Sequence, residues 1–76
     1  MYEKTVSLAN FNKLVKFVDF AKTKDFDIDL ISGGKTVNAK NIDEVFTLDL
    51  TKPLVMVAKT DSHAALVREM TQKGLF

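Results

Sequence analysis

His63 is the only histidine in this 76-residue chain, and there is no cysteine. Imidazole or thiolate chemistry therefore has a single candidate residue. Thr60, Asp61 and Ser62 offer helix caps just before it, which sets His63 near the start of the last helix. Free N–H groups and the helix dipole attract anions there, so one reading is a phosphoryl acceptor. The other is an exposed polar residue in a first helical turn. The nearest arginine is Arg68, so no guanidinium stands beside His63 in sequence. Asp25, Asp27 and Asp29 could suggest a cation site. Alternation sets them on one face of a strand with Phe26, Ile28 and Leu30 opposite. They lack the calcium-loop spacing and closing glutamate, so a solvated strand face is expected and no metal. Lys13, Lys16, Lys22 and Lys24 read either as a solvated helix face or as contacts to an acidic partner or phosphate groups. Gly33-Gly34 lacks the glycine spacing and following helix of a phosphate loop, so no cofactor is expected.

Composition narrows the classes further. Residues 1–76 make one domain, burying about 60–65% of the extended-chain surface, which leaves no room for a large catalytic cleft. The absence of cysteine excludes disulfides and fits a reducing, cytoplasmic setting. Eleven basic residues against ten acidic ones give a formal charge of +1. That balance supplies no electrostatic case for nucleic acid or for a membrane surface. No stretch approaches the ~20 apolar residues of a membrane span.

The elements that must position these residues are legible in order. Tyr2 to Ala9 alternates as a first strand, with Val6 and Leu8 at its core end. Asn10 and Asn12 are both possible N-caps for a helix over roughly 11–23. Leu14, Val15, Val18 and Ala21 form its apolar stripe. Phe17 and Phe20 lie at the edge of that stripe, so the helix is either covered on more than one side or exposes aromatic surface. A second strand spans Phe26 to Ser32. Gly33-Gly34 can take positive φ and closes a two-residue hairpin onto a strand carrying Val37 and Ala39 on one face. Asn41 is an N-cap candidate, followed by Asp43 and Glu44 at the positive end of a helix dipole. That second helix is expected to end near Leu50, ahead of Pro53. Leu54-Val55-Met56-Val57-Ala58 suits a strand covered on both sides or central in a sheet. Leu66, Val67 and Met70 stripe the last helix, and Gly74 stops it after Lys73. The order is β-α-β-β-α-β-α, an α+β fold in two layers with an at least partly antiparallel sheet.

With this element order, three segments resemble the HPr family of small phosphocarriers of the bacterial phosphoenolpyruvate-dependent sugar phosphotransferase system. They are Glu3-Lys4-Thr5-Val6 with Asn10, Gly34-Lys35-Thr36-Val37-Asn38-Ala39-Lys40, and Lys73-Gly74-Leu75. The Lys-x-Val-Asn-Ala-Lys segment is the most specific. The resemblance spans nearly the whole chain. It implies an open-faced β-sandwich: a four-stranded antiparallel sheet covered on one face by three helices.

The family's working part is a histidine in a Gly-Leu-His-Ala-Arg-Pro-like segment opening the first helix. Its imidazole takes a phosphoryl group. The corresponding place here reads Asn10-Phe11-Asn12-Lys13-Leu14-Val15-Lys16-Phe17, shorter and without histidine, arginine or proline. The resemblance thus implies a site that has lost the phosphohistidine relay, and a protein that is not an enzyme. The family's regulatory serine falls at Asn41, which caps a helix as well as serine does but cannot be phosphorylated. The family's partner surface maps here to Asn12, Lys13, Ile42, Asp43 and Phe46. Ile42 and Phe46 keep apolar contact positions and Asp43 replaces one. The leading expectation is a non-catalytic, regulatory protein-binding module in the cytoplasm, its partner a component or regulator of the phosphotransferase system. The alternatives are an atypical phosphocarrier using His63 and a small nucleic-acid-binding domain. Phe11, Phe17, Phe20 and Phe46 are each more often core than docking surface. A cluster of them near the first and second helix starts would mark an interface.

Overall fold

The computed structural model describes residues 1–75. The chain runs β1 (Tyr2–Val6), α1 (Phe11–Lys22), β2 (Ile28–Ser32), β3 (Lys35–Asn38), α2 (Ile42–Val45), β4 (Leu54–Ala58) and α3 (His63–Gln72). The four strands form one antiparallel sheet in the order β1-β4-β2-β3. This is the expected α+β arrangement.

The apolar run of β4 makes it a central strand, paired with β1 on one side and β2 on the other. Leu54, Met56 and Ala58 are fully buried in the core, together with Ile28 and Leu30 of β2. Val57 points to the other sheet face. It is buried yet stands outside the core cluster, flanked in register by Glu3 and Asp29.

Several boundaries differ from the sequence reading. The first strand ends at Val6 rather than Ala9, because its partner β4 begins at Leu54, just after Pro53. Proline has no N–H to extend a ladder. Leu8 still reaches the core, at 1% exposure. The second strand begins at Ile28, not Phe26. The Asp27 carbonyl accepts from the Lys59 amide at 2.9 Å instead, outside the strand. Asp25, Asp27 and Asp29 therefore share no strand face: only Asp29 lies in β2, where it pairs with Lys59 at 3.5 Å.

The second helix stops at Val45, not near Leu50. Beyond it the amides of Thr47 and Leu48 bond the carbonyls of Glu44 and Val45, the tighter i→i+3 pattern. The Thr47 hydroxyl also donates to the Glu44 carbonyl, and the Asp49 carboxylate accepts from the Thr51 amide. Side chains that bond the local backbone compete with helix continuation.

The hairpin turn is as the glycines require. Gly33 and Gly34 sit at φ 54° and 83°, the two positive values of a type I′ loop. At the other end of the chain, α3 closes in a Schellman motif. The Leu75 amide reaches the Met70 carbonyl and the Gly74 amide that of Thr71, with Gly74 at φ 69°.

The aromatic ambiguity of α1 resolves toward coverage. Phe17 is fully buried and Phe20 is 3% exposed, whereas Val15 is only half-buried. Phe20 is roofed by Lys24, whose ammonium stands 4.7 Å from the ring centre and pairs with Glu69 of α3 at 2.7 Å.

Candidate protein-docking surface

Two helix starts frame the candidate site. At the first, Asn10 is the N-cap, its side-chain oxygen accepting from the Lys13 amide at 3.2 Å. Asn12 is not a cap and is exposed in the first turn. Asn10, Asn12, Lys13 and Lys16 line an open depression of about 460 Å³, closed on one side by Gly74. At the second, Asn41 caps α2 as expected, accepting from the amides of Asp43 and Glu44 at 3.0 and 3.4 Å. Ile42 is half-buried and packs against the core, while Asp43 and Glu44 are exposed.

An aromatic pair links the two helices. Phe11, the first residue of α1, stacks on Phe46, the C-cap of α2, with centroids 6.2 Å apart and planes 13° from parallel. Phe11 is 62% exposed and Phe46 48%. Apart from Met1 these are the exposed large apolar side chains among the described residues. The four phenylalanines thus divide, with Phe17 and Phe20 in the core and Phe11 and Phe46 outside it. Phe46 was among the anticipated surface residues and Phe11 was not. Helical spacing sets Phe11 in line with buried Leu14 and Val18, so no signal of its exposure lay in the sequence.

The groups at this surface are amides, ammoniums and apolar rings. Asn10 and Asn12 offer amide groups, and Lys13 and Lys16 offer positive charge. Two stacked rings supply apolar area. No imidazole, thiol or paired carboxylates converge on it. No group of three or more histidine or acidic side chains suited to a metal ion forms among the described residues.

His63 lies elsewhere. It is exposed at the start of α3, its ring stacked on Tyr2. Tyr2 pairs with Ala58 at one end of the β1–β4 ladder, and Val6 pairs with Leu54 at the other, the end from which the chain enters α1. The five residues of β1 span roughly 13 Å between these ends. Ser62 precedes His63 as N-cap without a side-chain capping bond.

No family model matches the chain, and no curated protein matches it. Solved structures do. An HPr-C-His protein from Thermoanaerobacter tengcongensis is 20% identical, with 95% of this chain and 89% of that one covered at a TM-score of 0.75. A phosphocarrier protein HPr from Bacillus anthracis str. Ames is 29% identical, with 88% and 89% covered at a TM-score of 0.70. This chain has an HPr-like fold.

Coverage of 95% and 88% of the chain at these TM-scores means that most of the chain, and not one hairpin of it, follows the HPr arrangement. In this HPr-like fold the first helix is opened by Asn10, Phe11 and Asn12 and the second by Asn41. No helix among the described residues is long and apolar enough to cross a membrane.

Proposed function

We propose that this HPr-like protein works by binding another protein, as a non-catalytic regulatory module of the cytoplasm, through Asn12, Lys13, Ile42, Asp43 and Phe46 together with Phe11. The observation that carries this reading is the exposed Phe11–Phe46 stack at a first-helix start that holds asparagines instead of an imidazole. Paired aromatic rings left in water are costly unless a partner covers them. An amide nitrogen has no free lone pair with which to attack phosphorus, so Asn10 and Asn12 cannot carry a phosphoryl group in a reversible relay. Asn41 likewise holds the second helix through its amide but has no hydroxyl to modify. The near-neutral charge speaks against nucleic acid as the partner.

His63 favours the one competing reading, an atypical phosphocarrier, because it is exposed at the start of a ten-residue helix whose cap residue makes no side-chain bond. Incubation with phosphoenolpyruvate and the first enzyme of the phosphotransferase system, followed by intact-mass measurement, separates the two. The binding reading expects no mass increase of one phosphoryl group. A labile phosphate on His63 overturns it. Titration of the unmodified chain with phosphotransferase-system proteins, followed by NMR, is expected to move the Phe11 and Phe46 signals first.

A further inference from the structure

We propose that the groove between α1 and the end of α3 docks an acidic, extended segment of a partner protein. The groove shares only Asn12 and Lys13 with the Phe11–Phe46 docking surface and does not rest on that reading.

Lys13, Lys16, Lys22 and Lys24 read from the sequence as a solvated face or as an acidic contact, and the fold sorts them. Lys24 is used internally, paired with Glu69 at 2.7 Å. At about 100° per residue, Lys22 falls on the same side of α1 as Phe11. Lys13 and Lys16 fall on the opposite side, within an arc of about 80° that also holds Phe20 and Thr23.

Two depressions meet on that side at Lys16. One, of about 460 Å³, runs from Asn10 past Lys13 to Gly74. The other, of about 350 Å³, is lined by Asp19, Phe20, Thr23 and Lys73. Lys73 is the C-cap of α3 and is exposed, so a third ammonium enters from a different element. Together the depressions follow α1 from its N-cap Asn10 to its C-cap Thr23. That length, about 18 Å, matches about five residues of extended chain.

Charge names the occupant. Lys13, Lys16, Lys73 and Asp19 take part in no ion pair among the described residues. Three lysines and one aspartate give the groove a formal charge of +2, while the other eight basic and nine acidic residues sum to −1. The positive charge of a near-neutral chain is thus gathered on this flank, and it complements a segment of opposite sign. An extended chain turns every second side chain the same way, so alternate acidic residues would face the lysines together. Nucleic acid fits less well. Asp19 repels its phosphates, and Phe20, at 3% exposure, presents no ring face on which a base could stack.

The test is a 15N NMR titration with a peptide of about seven residues, alternating glutamate and serine and capped at both ends. The contact is small, so a dissociation constant of about 1 mM is expected. Amide shifts are expected at Lys13, Lys16, Thr23 and Lys73, fading in about 0.5 M salt. Lys16→Glu combined with Lys73→Glu, both at exposed positions, is expected to weaken binding about tenfold or more while the spectrum stays that of the folded chain. Lys22→Glu makes the same kind of charge change on the other flank and is expected to alter affinity by less than about twofold. The absence of shifts at about 5 mM peptide overturns the proposal. So does equal binding of a glutamine–serine peptide, a set of shifts centred on Phe11 and Phe46, or an affinity that the Lys16 and Lys73 reversals leave intact. Tighter binding of a thymidine oligonucleotide than of the acidic peptide also overturns it, in favour of nucleic acid.

Discussion

The His63 imidazole lies flat against the Tyr2 ring, with centroids 5.5 Å apart and planes 5° from parallel. The contact ties the first turn of α3 to the first residue of β1, at the end of the sheet away from Asn10. Its role in this geometry is packing. Stacked pairs add about 0.5–1.5 kcal/mol beyond area burial, and this one, partly exposed, belongs at the low end. A double-mutant cycle of Tyr2→Ala and His63→Ala by urea unfolding is expected to give a coupling of about 0.5 kcal/mol. Zero coupling would mean that the stack contributes nothing to stability.

Phe17 is the aromatic on which the α1 packing turns, since it is fully buried against the sheet. Phe17→Ala is expected to cost about 3–5 kcal/mol. A chain of this length has only about 4–11 kcal/mol to lose, so the variant should be marginally folded at room temperature. Phe11→Ala, at an exposed position, is expected to change stability by less than about 0.5 kcal/mol. Comparable losses in the two variants would contradict the division between core and surface phenylalanines.

Asn41 satisfies two amides of a helix only four residues long. Asn41→Ala is expected to cost about 1 kcal/mol and to speed hydrogen exchange at the Asp43 and Glu44 amides. Asn41→Ser, which restores a capping oxygen, should return most of that stability. If the alanine and serine variants behave alike, the side-chain cap is not what holds α2.

Asp49 accepts from the Thr51 hydroxyl at 2.5 Å and from the Thr51 amide at 3.1 Å, with the Lys52 ammonium 3.8 Å away. The Thr51 hydroxyl bond, then its amide bond, hold the carboxyl below the ordinary value of 3.8, and Lys52 adds to this. The folded value lies below the unfolded one. The stabilisation is therefore present above the unfolded pKa and is lost as pH falls through the folded pKa. A 13C-detected titration should find Asp49 protonating at lower pH than in a Thr51→Val variant. An unchanged midpoint would remove the hydroxyl as the cause.

The sequence by itself determined the element order, the Gly33-Gly34 hairpin, the Asn41 cap and the Gly74 stop. Each depends on contacts within a few residues: positive φ at glycine, or a side-chain oxygen two or three residues from the amide it caps. The likeness to HPr was legible in the Lys35–Lys40 segment for the same reason, because that segment sets a turn, a strand and a helix start in one run. Tertiary structure alone decided where β1 stops, since that depends on Pro53, just ahead of its partner strand β4; the early stop of α2 goes instead with local bonds of Thr47 and Asp49, which helical periodicity does not report. Tertiary structure alone separated Phe17 and Phe20 from Phe11 and Phe46. Helical spacing gives an angle around one axis, but burial depends on what stands across from it. The core encloses Phe17 and Lys24 covers Phe20, whereas Phe11 and Phe46 stack on each other and remain exposed. His63 shows the same limit, because proximity to a helix start is local information while its distance from Asn10 is set by the length of β1.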